Sequence, residues 1–257
     1  MNTYQNFIAF ITIVRKEVLR FMRIWVQTLT PPAVNAALYI VIFGSLIGAH
    51  MPSMDGYDYI DYIIPGIIMM SVIINSYSNV VSSFYSAKFQ RSIEEMLVSP
   101  LPNYIILVGF VIGGVCRGML VGSIVAVVTM LFTTISINNV AITLSIAFLT
   151  SVVFSIGGLI NAVFAKNFDD ITIIPNFVLT PLTYFGGIFY SIKLLPETWQ
   201  TVSQLNPVLY MVNGFRYGIL GVSDIQIELA FLVIFVFIFV FGTIALILLN
   251  RGIGIKN

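Results

Sequence analysis

The run LAFLVIFVFIFVFGTIALILL, Leu229–Leu249, is aliphatic and aromatic almost throughout and carries no charge. A bilayer's hydrocarbon core is about 30 Å thick, and a helix of roughly 20 apolar residues crosses it. Five further apolar runs of that scale precede it, at about 26–49, 62–85, 104–133, 141–165 and 171–190. In lipid the backbone polar groups must be bonded within the protein, which makes such runs helices. The expected fold is therefore an all-α polytopic membrane protein: six transmembrane helices in one domain over residues 26–250, and a short tail, 251–257. Pro31 and Pro32 suit the first turn of the first span or a bend there, and Pro175 and Pro181 predict a bent or interrupted fifth span.

Composition excludes the soluble alternative. Of 257 residues, 58% are hydrophobic and 9% charged, against about 25% charged in a soluble domain. The single cysteine, Cys116, allows no intrachain disulfide, and the single histidine, His50, falls short of the ligand set of a zinc site. No GxxxxGK(S/T), GxSxG or HExxH motif is present, so no catalytic, cofactor-binding or metal-binding residue is expected. A net charge of +1 with no basic run leaves no footprint for nucleic acid. The loop carrying Asp55, Asp58 and Asp61 reads as a solvated outer loop rather than a cation site.

Residues 1–25 differ from the spans. Phe7, Phe10, Ile11, Val14, Val18, Phe21, Met22 and Trp25 fall on one helical arc, with Lys16, Arg20 and Arg23 opposite. That pattern suits an amphipathic helix lying in the membrane interface, its basic face in water. With the N-terminus in the cytoplasm, Arg15, Lys16, Arg20, Arg23, Lys88, Arg91, Lys166, Arg251 and Lys256 all lie inside, and only Lys193 and Arg216 lie outside. The positive-inside rule selects this orientation, with both termini cytoplasmic. Residues 191–223 are apolar but broken: Pro196, the pair Asn206 (N-cap) and Pro207 (first helical position), and then Gly214, Gly218 and Gly221. Short re-entrant helices fit this region better than another crossing.

Between the second and third spans lies KFQRSIEEMLVSPLP, residues 88–102. Phe89, Ile93, Met96 and Leu97 share one helical face, Arg91 is within a turn of Glu94 and Glu95, and Pro100 and Pro102 stop the helix. Such a helix either docks a cytoplasmic partner or rests on the headgroups, anchored by Lys88 and Arg91. In the third span Gly114, Gly118 and Gly122 form a stripe for close helix packing. Arg117 borders that stripe near mid-depth, where a charge is costly and should face protein or water. It is either a cavity or gate residue or half of a structural ion pair.

SIEEMLVSPLP with GFVIGGVCRG, and FGGIFYSIKLLPETWQTVSQLNPVLYMVNGFRYG at 185–218, resemble the corresponding regions of ABC-2 type transporter permeases, and the layout of the whole chain is similar. The resemblance implies a half-transporter of the inner membrane that pairs with a second copy or another permease. It also implies a separate ATP-binding subunit, where ATP and Mg would bind, none being held by this chain. The coupling helix then maps to about 87–99, with Phe89, Arg91, Ile93, Glu94, Glu95, Met96 and Leu97 as coupling residues. Residues 1–25 become the connecting helix, and 191–223, with Pro196, Asn206, Pro207 and Arg216, the outer re-entrant region. The expected activity is outward transport by alternating access, of a drug-like, lipid or glycan cargo. The rivals are a polytopic enzyme acting on lipid-linked substrates, for which Asp169 and Asp170 lack a catalytic companion, and an uncoupled channel or scaffold.

Overall fold

The computed structural model describes residues 2–134 and 136–254; Lys256 and the end of the expected tail lie outside them. The described chain is all-helical and forms no sheet: α1 (Thr3–Arg23), α2 (Trp25–Tyr39), α3 (Tyr59–Phe89), α4 (Ser92–Val98), α5 (Asn103–Thr129), α6 (Val140–Phe164), α7 (Asp170–Ile174), α8 (Thr180–Tyr184), α9 (Glu197–Gln204), α10 (Pro207–Leu220) and α11 (Ile227–Arg251). Five segments are long and apolar enough to cross a membrane: Trp25–Gly44, α3, α5, α6 and α11. In the first of them α2 widens into π-helical turns over Ile40–Ile47, and Pro31 and Pro32 lie inside the helix rather than in its first turn.

The expected span at 171–190 is the exception. It is a helix over residues 170–184 in which α7 and α8 flank a π turn at Pro175–Leu179. At 1.5 Å per residue it rises about 22 Å, short of a bilayer core. The chain then leaves helical geometry and turns at Gly187 (φ +71°).

The helix α3 forms the core. Of its most apolar stretch 89% is buried, against 17% for the α2 span and 22% for α11. Glycines let its neighbours approach. A Cβ on Gly118 of α5 would lie 2.9 Å from the Ser76 Cβ, and one on Gly122 would lie 2.5 Å from Val72; on Gly114 it would overlap Val80 and Ser155. On the other side, a Cβ on Gly158 of α6 would lie 2.6 Å from the Tyr77 carbonyl. Gly214 and Gly218 do not break the chain as expected: both lie inside α10, where Gly218 packs against Thr143 and Gly214 against Ile146. Only Gly221, with φ +76°, ends the helix.

Candidate functional site: a docking helix, a buried polar track and a cavity

The segment between α3 and α5 is not one helix. Arg91 adopts the left-handed conformation (φ 59°, ψ 5°), and this separates Phe89, the last residue of α3, from α4. The expected shared face of Phe89, Ile93, Met96 and Leu97 therefore does not form. Ile93 is fully buried, and Met96 and Leu97 pack against the core. Phe89 points elsewhere, 67% exposed, stacked edge-on against Phe168. Among the described residues no ion pair joins Arg91 to Glu94 or Glu95. Lys88 is held by protein rather than headgroups, its Nζ donating to the Val163 and Ala165 carbonyls at the C-terminus of α6 (2.7 and 2.8 Å). Those are the carbonyls a helix leaves unbonded at its end, and a cation suits them. What α4 turns outward is Arg91, Glu95 and Val98, the last 84% exposed, with Glu94 half-buried. The four-charge cluster thus divides into one anchor, Lys88, and an outward charged edge. Beside it lies a cavity of about 470 Å³ bordered by Phe89, Arg91, Glu94 and Lys166.

The first helix buries a stripe offset from the expected apolar arc but sharing Phe21 with it, and Lys16 and Arg23 are exposed as expected. Ile13, Glu17 and Phe21 are its buried stripe, while Phe7, Ile11 and Met22 face outward. Ile13 sits against Gly109 and Glu17 against Gly113, so α1 runs alongside α5 over this stretch. Glu17, fully buried, accepts a bond from Ser83 Oγ (2.7 Å) and pairs with Arg20 (3.6 Å). Arg20 in turn donates to the Asn79 carbonyl and to Asn79 Oδ1 (2.9 and 2.7 Å). Burial lowers the Arg20 guanidinium from its ordinary value, and Glu17 opposes that shift. Apolar periodicity hid this arrangement, because lipid accepts the face that water would reject. The available signal was the coincidence of Glu17 and Arg20 with Ser and Asn at fourfold spacing on α3.

One turn further along α3, Asn75 accepts a bond from Arg117 Nη2 (3.2 Å). Arg117 is the fifteenth of the 27 residues of α5. Its Nε is buried without a partner, and among the described residues no carboxylate lies within 4.0 Å. It borders a cavity of about 330 Å³ between α2, α3, α5 and α8, whose polar lining includes Gln27, Asn35, Asn75, Thr180 and Tyr184. Arg117 thus borders a cavity and, among the described residues, has no ion-pair partner.

The opposite end of the bundle is tied together by polar side chains. Asp224 pairs with Lys193 (3.3 Å) and accepts bonds from Ser191 Oγ and the Ile192 amide. Asp55 lies 3.7 Å from the same Lys193, and Thr133 donates to Asp61, so the acidic loop is tied to protein. Arg216, expected in the outer re-entrant region, is fully buried. It donates to the carbonyls of Gly187 (2.6 Å) and Tyr62 (3.3 Å) and to Asn213 Oδ1 (3.2 Å), and lies 4.0 Å from the Tyr62 ring. Asn206 caps α10 by accepting from the Val208 amide (3.0 Å) and also donates to the Leu182 carbonyl (2.7 Å). Tyr59 serves the Phe189 carbonyl (3.0 Å). These three side chains bond backbone that the broken 170–190 segment leaves without helical partners. Pro196 directly precedes α9 and Pro207 is the first residue of α10.

Asp170 accepts from the Lys166 and Asn167 amides and closes the turn before α7, and among the described residues no three metal-ligating side chains converge.

Residues 8–220 match the ABC-2 type transporter family. The chain belongs to that family. It is 51% identical to the inner membrane transport permease YadH of Escherichia coli K12, over 97% of this chain and 98% of that one. More distantly, it is 22% identical to nodulation protein J of Neorhizobium galegae over 91% and 90% of the two chains, and 20% identical to that of Rhizobium leguminosarum over 86% and 87%. This ABC-2 chain is a multi-pass inner-membrane permease subunit and is not itself the enzyme of its transporter.

Proposed function

We propose that this permease is half of an ATP-driven exporter in which two copies pair and each docks a separate ATP-binding subunit at α4. ATP and Mg belong to that subunit; this chain holds neither. The carrying observation is α4 itself. Its inner face, with Ile93, packs into the core beside α3, while Phe89, Arg91, Glu95 and Val98 stand outward at the end that holds Lys88 and Lys166. A short helix packed in this way passes a push on its outer face directly to the core helix α3.

Six crossings and cytoplasmic termini complete the reading, with the 170–184 helix and its bonded continuation making the fifth crossing and α9 and α10 forming the re-entrant pair on the outer side. The sparse burial of α2 and α11 supports lipid and a second permease as their neighbours. Cargo, a drug-like, lipid or glycan molecule, then moves outward as the two copies alternate between inward and outward openings.

The test is co-purification. The permease expressed with its candidate ATPase should hold that subunit in detergent and stimulate its hydrolysis. Phe89→Asp with Val98→Asp, both on exposed positions, should cut the retained subunit at least about tenfold, the equivalent of about 1.4 kcal/mol. Glu94→Lys should weaken it less. Leu97→Asp is unsuited to this purpose because Leu97 packs inward. Retention unchanged in the double variant would remove α4 as the docking site.

A further inference from the structure

Within the buried polar track the charges do not balance. Glu17, Arg20 and Arg117 are its ionisable groups, and the one carboxylate is taken by Arg20 and Ser83. Arg117 keeps a single neutral acceptor, Asn75, and a buried Nε–H with no acceptor at all. A cation at mid-membrane depth costs at least about 2.5 kcal/mol and is normally paired. None of the residues bordering its cavity is acidic, and none but Arg117 is basic. The walls offer amides and hydroxyls instead: Gln27, Asn35, Thr180 and the pair Tyr39 and Tyr184, whose hydroxyls lie 3.0 Å apart. Pro31 and Pro32, also on the rim, remove the donors that would have bonded the Gln27 and Thr28 carbonyls within α2.

We infer that this cavity binds the anionic head, a phosphate or carboxylate, of an amphiphile, with Arg117 as its counter-ion. The guanidinium supplies charge, Asn75 orients it through Nη2, and the amide and hydroxyl walls bond the remaining oxygens. A volume of about 330 Å³ admits a head group and excludes a long chain. The chain would lie along the outward side of the Trp25–Gly44 span, where Val34, Leu38, Val41 and Ile42 are exposed. This assigns a substrate class to the permease and rests on that reading, but the site is defined by this chain alone and needs no ATPase to be tested.

The experiment uses the full chain in neutral detergent, with dodecyl phosphate, dodecyl maltoside and inorganic phosphate as probes, and reads saturable binding by native mass spectrometry and by thermal shift. Dodecyl phosphate should bind at least tenfold more tightly than dodecyl maltoside. Arg117→Gln should abolish that preference, and Arg117→Lys should keep much of it. Asn75→Asp would place a carboxylate beside Arg117 and should abolish anion binding in a chain that still elutes as a single species, which guards against Arg117→Gln failing to fold. Inorganic phosphate binding as tightly as dodecyl phosphate, and lost in Arg117→Gln, would support the anion site and name a free anion as its source. Equal binding of the anionic and neutral amphiphiles, or a preference that survives both Arg117→Gln and Asn75→Asp, would overturn the proposal. A chain that holds no ATPase yet binds dodecyl phosphate through Arg117 would overturn the exporter reading and leave this site standing.

Discussion

Arg117 and Arg216 are both arginines inside the bundle, and their surroundings are opposites. Arg216 is enclosed, with each guanidinium nitrogen bonded and the Tyr62 ring stacked against it. Arg117 has one bond, a buried Nε–H without an acceptor, and borders a cavity. A cation with every guanidinium nitrogen bonded by protein is part of the scaffold, because removing it leaves carbonyls in a low-dielectric interior without donors. A cation left short of partners beside a cavity is costly to keep for stability alone, and that cost points to a ligand.

The comparison can be broken by substitution. The largest effect on folding is expected for Arg216→Leu, which strips donors from the Gly187 and Tyr62 carbonyls and from Asn213. A loss of about 3–5 kcal/mol follows, read as disappearance of the single species on size exclusion in detergent. Asn206→Leu should cost about 2–3 kcal/mol through the Leu182 carbonyl and the Val208 amide, seen as a lowered thermal midpoint. Glu17→Gln leaves Arg20 without its counter-ion; since Arg20 is 30% exposed, the expected loss is smaller, about 1–2 kcal/mol. The smallest change belongs to Arg117→Leu: within about 1 kcal/mol in stability, or about 2–4 °C, while complementation of a strain lacking the protein fails, read in its lipids and exported metabolites. Equal destabilisation by Arg117→Leu and Arg216→Leu would end the distinction drawn between them.

Hydrophobic run length located the long helices well. The run expected at 62–85 is the core of Tyr59–Phe89, and that at 229–249 lies within Ile227–Arg251. The Asn206–Pro207 start of α10 was equally readable, because an N-cap and a first-position proline act within one turn. The 171–190 run was harder. Pro175 and Pro181 announce a bend, but where helix gives way to bonded irregular backbone depends on Arg216, Asn206 and Tyr59, which are distant in sequence. The face predicted for 88–102 failed at one residue: a helical wheel assumes an unbroken helix, and the left-handed Arg91 swings Phe89 away from Ile93.

Local chemistry, then, decided that this chain is a helical membrane protein, roughly where it crosses, and where its charges are concentrated. Those properties follow from side-chain transfer into lipid and from backbone bonding within a few residues. Tertiary structure alone decided which way each helix faces. In lipid an apolar stripe is at home against either neighbour or solvent, so the inward face of α1 is set by Ser83 and Asn79 meeting Glu17 and Arg20. The same holds for the two arginines: their sequence contexts say only that each is expensive to bury, and the partners brought to them across the fold make one a strut and leave the other facing a cavity.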